Sequence, residues 1–204
     1  MKSNLLKINI LLIIIMIASC TEKPVTDPMT LYSEVDLNAA PNALTKKEAK
    51  KGWQLLFDGK TTSGWRGYNM KEFPDCWAIE EGALTMNTTG GAESQDIITT
   101  RKYRNFALSL EYKLTPAANS GIIYQVEEDT IYKFPYETGP EFQVIDSEGW
   151  PEPLEDWQVN GANYAMYPPL VKPYKPVGEW NHAMLIVNGN KVTQILNGKI
   201  VVEY

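Results

Sequence analysis

From Phe106 to Leu114 apolar and polar positions alternate without a break. Phe106, Leu108, Leu110, Tyr112 and Leu114 stand against Ala107, Ser109, Glu111 and Lys113. A period of two over this run predicts a strand with one buried face. Shorter strand-like runs lie at 53–57, 76–80, 83–87, 96–100, 121–126, 140–145 and 182–187, punctuated by Asp58-Gly59, Glu81-Gly82, Gly90-Gly91 and Asn188-Gly189. Runs 191–196 and 199–203 flank Asn197-Gly198, a dipeptide suited to a two-residue hairpin turn because both positions tolerate positive φ. The helical signal is local. Thr45 and Glu48 have capping-box spacing, Lys46 to Lys51 suits a helix, and Gly52 suits its end. Many short strands between Gly and Pro turns predict an all-β sandwich or barrel. One stretch, 147–179, has no periodicity. It carries Pro151, Pro153, Pro168, Pro169, Pro173 and Pro176 with Trp150, Trp157, Tyr164 and Tyr167. An irregular segment of that length in a compact domain is more often functional than idle.

The N-terminus follows a different rule. Lys2 and Lys7 precede an uncharged apolar run, Ile10 to Ala18, that ends in Ile17-Ala18-Ser19-Cys20. A basic start, a short apolar stretch and small residues before a cut predict an export signal over 1–19. The run is about half of the roughly 20 residues a spanning helix needs. A cysteine after an aliphatic-small-small triplet is the lipoprotein pattern, in which the Cys20 thiol takes the lipid. Residues 20–44, polar and holding Pro24, Pro28 and Pro41, read as a tether to a domain over 45–204. The expected location is therefore outside the cytoplasm, lipid-anchored to a bacterial membrane at the outer membrane or its periplasmic face.

Charge and cysteines narrow the partners. Removing Lys2 and Lys7 with the signal would take the net charge from −6 to −8. A surface of that sign repels nucleic acid, so a neutral solute is the better expectation. With Cys20 acylated, Cys76 has no partner for an intrachain disulfide, and a cysteine-type zinc site is excluded.

Several short motifs occur in a recognisable order. They are Gly52-Trp53-Gln54-Leu55-Leu56-Phe57-Asp58-Gly59-Lys60 with Gly64-Trp65, Trp77-Ala78-Ile79-Glu80-Glu81-Gly82-Ala83-Leu84, and Asp96-Ile97-Ile98-Thr99. Tyr103, Asn105-Phe106 and Asn119-Ser120-Gly121-Ile122 follow. Then come Gly139-Pro140-Glu141-Phe142-Gln143-Val144-Ile145-Asp146, Gly161-Ala162, Tyr164, Gly178-Glu179-Trp180-Asn181 and Asn197-Gly198. Over residues 45–204 the chain resembles the 3-keto-disaccharide hydrolase domain family, also described as 3-keto-glucoside 1,2-lyase and 3-keto-2-hydroxy-glucal hydratase. The resemblance implies a concanavalin A-like jelly-roll sandwich and export by glycan-degrading bacteria. The family's closing segment, with a Gln-Asp-His-Gly motif and a final strand, has no counterpart before Tyr204. The chain is therefore expected to stop short of its last strands and to leave a strand edge or core residues uncovered at Tyr204.

The resemblance also implies a chemistry. A C3 ketone acidifies the proton on C2; its removal gives an enolate, and the C1 substituent leaves by elimination. Water added across the new double bond completes a net hydrolysis. Such a site needs a base near C2, an acid for the leaving group and a stabiliser for the enolate oxygen. A divalent cation could be that stabiliser, although no Asp-rich loop fixes a ligand set and the cofactor is open. Glu141 and Gln143 are two apart and share a strand face. Asp146 lies at an odd offset and reaches that face only if the strand is bulged near Ile145. The spacing is similar to the Glu-x-Asp-x-x-Glu strand of laminarinase-like glucanases, but its middle position here is an amide, so a retaining mechanism does not carry over. Alternation alone reads the row equally as a solvent-facing face. With the resemblance, Glu141, Asp146 and the lone histidine, His182, are the catalytic candidates. His182 alone reads as a structural hydrogen-bonder. Gln143, Asn119, Gln125, Trp150, Tyr164 and Asn181 are the substrate-binding candidates, the rings because aromatic faces stack on sugar C–H faces. The expected partner is a neutral oxidised glucoside or disaccharide. A carbohydrate-binding module without turnover, or a structural surface lipoprotein, would use the same fold.

Overall fold

The computed structural model of the chain describes residues 27–87 and 93–204, together with the backbone of Asn9–Met16. Strands β1 (Asn9–Met16), β2 (Trp53–Leu55), β3 (Trp65–Gly67), β4 (Trp77–Glu80), β5 (Ala83–Met86) and β6 (Ile97–Thr99) are followed by β7 (Phe106–Lys113), β8 (Asn119–Ile123) and β9 (Glu141–Ile145). β10 (Trp180–Asn188), β11 (Lys191–Leu196) and β12 (Lys199–Glu203) complete the order, and α1 (Pro28–Tyr32) and α2 (Lys46–Lys51) precede β2. One large sheet runs β12-β11-β10-β7-β1-β5-β4, with β2 beside β1 off that path. β3 pairs with β6, and β8 with β9, as two separate ribbons. Among the described residues every strand pairing is antiparallel. The ribbons pack over the large sheet, giving the expected all-β jelly-roll sandwich.

β7 sits at the heart of this arrangement, paired along its length with β10 and with β1. Its alternation places Leu108, Leu110, Tyr112 and Leu114 in the inter-sheet core with Leu84, Leu185, Leu196 and Val201 of the large sheet and Phe142 and Val144 of β9. Phe106 packs partly buried at the edge of that core. The opposite face, expected to meet solvent, is also covered. Ala107 joins Met184, Ile186 and Ile195 beneath Leu31 of α1 and Trp53 of β2. Small residues such as Ala107 and Ser109 let this second layer approach, which is why the pattern read as one-sided.

Local chemistry places the turns as the sequence predicts. Asn197 and Gly198 have φ of 45° and 77°, the left-handed pair of a type I′ hairpin. At α2 the Thr45 hydroxyl accepts from the Glu48 N–H (3.2 Å), and the Glu48 carboxylate accepts from the Thr45 N–H (2.7 Å). Glu48 is buried and also accepts from the Asp36 N–H at 3.0 Å.

The structure adds to or departs from the sequence reading at four places. Residues Asn9–Met16, expected within an export signal, form a central strand between β7 and β5. An uncharged run of Ile and Leu satisfies a buried strand as readily as a signal core, so periodicity cannot separate them. Cys20 lies outside the described residues. Residues 28–44, expected to be a loose tether, dock on the sheet: Leu31 is buried, and the Asn42 amide donates to the Gly82 carbonyl at 2.7 Å. β3 is too short to show a period and was not expected. Last, β12 forms an outer edge of the large sheet, with Val201 and Val202 buried. Tyr204 exchanges backbone hydrogen bonds with Val192, and its ring stacks on Tyr167 at 5.0 Å.

Candidate active site

β9 carries its side chains to two destinations. Phe142 and Val144 enter the core, so Glu141 and Gln143 point to the other face. β8 lies alongside in regular register, with Ile123 opposite Glu141, Gly121 opposite Gln143 and Asn119 opposite Ile145. The far edge of β9 is taken by residues 161–164. The Gln143 N–H donates to the Ala162 carbonyl, the Gly161 N–H to the Gln143 carbonyl and the Tyr164 N–H to the Glu141 carbonyl, each at 2.9 Å. Phe142 bridges Asn163, which sets Tyr164 beside Glu141 on the same face. Tyr164 and Trp157 meet edge to face at 5.6 Å and are each 37% exposed. The result is one surface with a carboxylate, a half-open aromatic pair and exposed Asn119.

Gly121 is needed there by close approach. A Cβ at that position would lie 2.6 Å from the Glu141 Cδ and would overlap a carboxylate oxygen. The glycine thus lets the Glu141 carboxyl lie flat on β8. Gly121 also lines a cavity of about 330 Å³ between β6 and β8, whose walls include Asp96, Ile97, Tyr103, Ser120 and Gln125. Burial, then the charge of Asp96, pushes the Glu141 carboxyl up to about 7. Burial also raises Asp96. Glu141 is therefore a carboxyl poised to exchange a proton near neutrality.

This geometry sits inside a recognisable sequence frame. Residues 52–204 match the family described as the 3-keto-alpha-glucoside-1,2-lyase-like domain. The chain belongs to that family. It is 32% identical over 199 residues to a 3-keto-disaccharide hydrolase of Bacteroides thetaiotaomicron, covering 90% of this chain and 69% of the relative. A crystal structure from Parabacteroides distasonis, described only as a candidate glycosyl hydrolase, superposes with a TM-score of 0.74 at 38% identity over 80% of this chain and 76% of its own. A second candidate glycosyl hydrolase of the same organism superposes with a TM-score of 0.53 at 26% identity, covering 68% of this chain and 71% of that one.

In this lyase-like domain the expected residues separate into two groups. Glu141, Gln143, Asn119 and Tyr164 share the β8–β9 face. Gln143 is the buried member; its side-chain oxygen turns back to accept from the Val144 N–H at 3.0 Å. Gln125 lines the neighbouring cavity at a left-handed φ of 54°. Trp150, half-buried, follows the turn after β9.

Asp146 does not join them. The bulge expected near Ile145 is absent, and β9 stays in register to its end. The Asp146 carboxylate is instead a turn clamp, accepting from the N–H groups of Ala117 and Gly149 at 2.9 Å each. His182 is also elsewhere. It lies on the opposite face of the large sheet, beneath α1, with Nε2 2.7 Å from the Ser109 hydroxyl and Nδ1 3.3 Å from the Tyr32 hydroxyl. Burial, then Lys175, lowers it to about 4, so it is a neutral structural imidazole at pH 7. Asn181 is a buried brace, accepting from the Lys175 N–H at 2.7 Å and the Asn197 amide at 2.8 Å.

Asp96 and Trp157 were not singled out from sequence for individual roles at this site. The available signal for Asp96 was its place in the Asp96-Ile97-Ile98-Thr99 motif; for Trp157 it was the aromatic density of the long segment. Among the described residues no three His, Cys, Asp or Glu side chains converge as a metal ligand set.

Proposed function

We propose that the chain cleaves 3-keto-glycosides, as the name of its Bacteroides relative suggests for that protein, by eliminating the C1 substituent and hydrating the resulting glucal. The observation that carries the reading is Glu141: a half-buried carboxyl held to about 7, beside an aromatic pair suited to a sugar face. Near neutrality a large fraction of Glu141 is protonated and can give its proton to the departing glycosidic oxygen. The ionised form can then take a proton from the water that adds at C1. Tyr164 and Trp157 present ring surface on which the sugar can lie, and Asn119 offers an amide. The reading retains lipid anchoring through Cys20 and an exported location, supported by Ile17-Ala18-Ser19-Cys20. Cleavage before Cys20 would take β1 out of the large sheet and vacate a central position.

Glu141→Gln tests this directly. At pH 7 the variant should lose turnover of a 3-keto-disaccharide by about 10²-fold or more, the usual worth of a positioned acid or base. An unoxidised disaccharide should be inert with either protein, since its C2 proton is not acidified. Stability adds a second readout. A raised folded-state pKa costs nothing below the unfolded value, destabilises increasingly as pH rises through the folded value, and levels off above about 7. The variant should therefore melt no lower than wild type at pH 8. Full turnover by the folded variant would overturn the reading.

A further inference from the structure

We propose that Asp96 is the catalytic base of this site, taking the C2 proton while Glu141 serves the C1 oxygen. The inference rests on the 3-keto-glycoside reading and adds the second carboxylate that its chemistry needs. The sequence had offered Asp146, but both Asp146 oxygens are held by backbone N–H groups of turns.

Asp96 has the opposite surroundings. It directly precedes β6, where its backbone carbonyl accepts from the Tyr68 N–H at 2.9 Å. Its side chain lines the cavity between β6 and β8. Gly121 is common to that cavity and to Glu141, lining the one and touching the other. Asp96 thus lines the cavity whose wall includes Gly121, the glycine on which the Glu141 carboxyl lies.

Of the cations lining the cavity, Arg66 grips Glu128 through two bonds of 2.6 Å and Arg101 lies 5.5 Å from the centre of the Tyr103 ring. Tyr124, which also lines the cavity, is held protonated by burial, then by Tyr204. Two neighbouring half-buried carboxyls favour sharing a proton over ionising together. One acid and one base is the pair that elimination requires.

The steps balance with these groups alone. Ionised Asp96 takes the C2 proton, the C1–C2 double bond forms, and the C1–O bond breaks as Glu141 protonates the leaving oxygen. In the second half Glu141, now ionised, takes a proton from water as its oxygen bonds to C1. Asp96, its proton exchanged with solvent between the two halves, delivers one to C2, and both groups regain their starting states.

The assignment separates the two carboxyls experimentally. A 3-keto-glycoside is incubated in D2O with wild type, Asp96→Asn and Glu141→Gln, and both C2 exchange and aglycone release are followed by NMR. Asp96→Asn should lose both by about 10²-fold or more, whereas Glu141→Gln should lose release and keep exchange. In parallel, a carbon NMR titration of labelled Glu141 should show its pKa falling below about 7 in folded Asp96→Asn, checked by circular dichroism. An Asp96→Asn protein that exchanges C2 normally would overturn the base role and leave the functional reading standing. An unmoved Glu141 titration would overturn the pairing of the two carboxyls. Wild type inert toward the keto sugar would bring down the functional reading and this assignment with it.

Discussion

Glu141 and His182 show how burial gives opposite meanings to two titratable groups. Burial disfavours whichever form is charged, so it raises the carboxyl and lowers the imidazole. Glu141 lies on the β8–β9 face beside a cavity wall, where a proton near neutrality has chemical use. His182 lies between the large sheet and α1, its two ring nitrogens facing Ser109 and Tyr32. Its lowered pKa is consequently a stability device. Between about 6.5 and about 4 the unfolded chain binds a proton that the folded chain refuses, so folding weakens as pH falls through that window. The shift is worth on the order of 3 kcal/mol when complete. His182→Gln keeps a polar side chain without the titration. Its denaturation midpoint should fall less steeply than that of wild type between pH 6.5 and 4, and equal slopes in urea titrations would contradict the assignment. Sequence could not distinguish the two cases, because nothing in Trp180-Asn181-His182 reveals which face of a strand will be roofed by a helix from far upstream.

Strands and turns set these positions, and the Asn197-Gly198 hairpin shows how far one turn reaches. The Asn197 side chain accepts from the His182 N–H at 2.9 Å and donates to the Pro173 carbonyl at 2.9 Å and to Asn181 at 2.8 Å. A turn residue thus ties the start of β10 to the end of the proline-rich segment that carries Tyr164. Asn197→Gly should keep the left-handed backbone and lose only these bonds. A destabilisation of about 1–3 kcal/mol in chemical denaturation is expected, as for buried hydrogen bonds left unmade, and no change would contradict the brace. This hairpin, the α2 capping box and the β7 alternation were legible because each rests on residues near in sequence. The Glu141–Gln143 face was legible for the same reason, through a period of two. Asp146 was misplaced because a bulge is a tertiary accommodation that spacing does not encode. Asp96 escaped because its partner is on another strand, and β1 because an apolar run of its length fits more than one environment.

At the scale of the whole molecule the sandwich holds two kinds of surface apart. One face of the large sheet is covered by α1, and there His182 is held between Ser109 and Tyr32. The other face bears the ribbons, whose outer side holds Glu141 with Tyr164 and Trp157 and whose separating cavity is lined by Gly121 and Asp96. β8 and β9 present one wall and the segment before β6 the other, so the site depends on packing between two ribbons that no strand pairing among the described residues joins. The central claim is that this site breaks the glycosidic bond by elimination and hydration across C1 and C2. The most direct test runs the wild-type reaction to completion in D2O on a 3-keto-disaccharide and reads the C2 position of the released keto sugar by NMR. A no-enzyme control on the same product corrects for spontaneous exchange. Deuterium at C2 in essentially every released molecule is the predicted result. Release of keto sugar that retains its original C2 hydrogen would show direct hydrolysis at C1 and contradict the account.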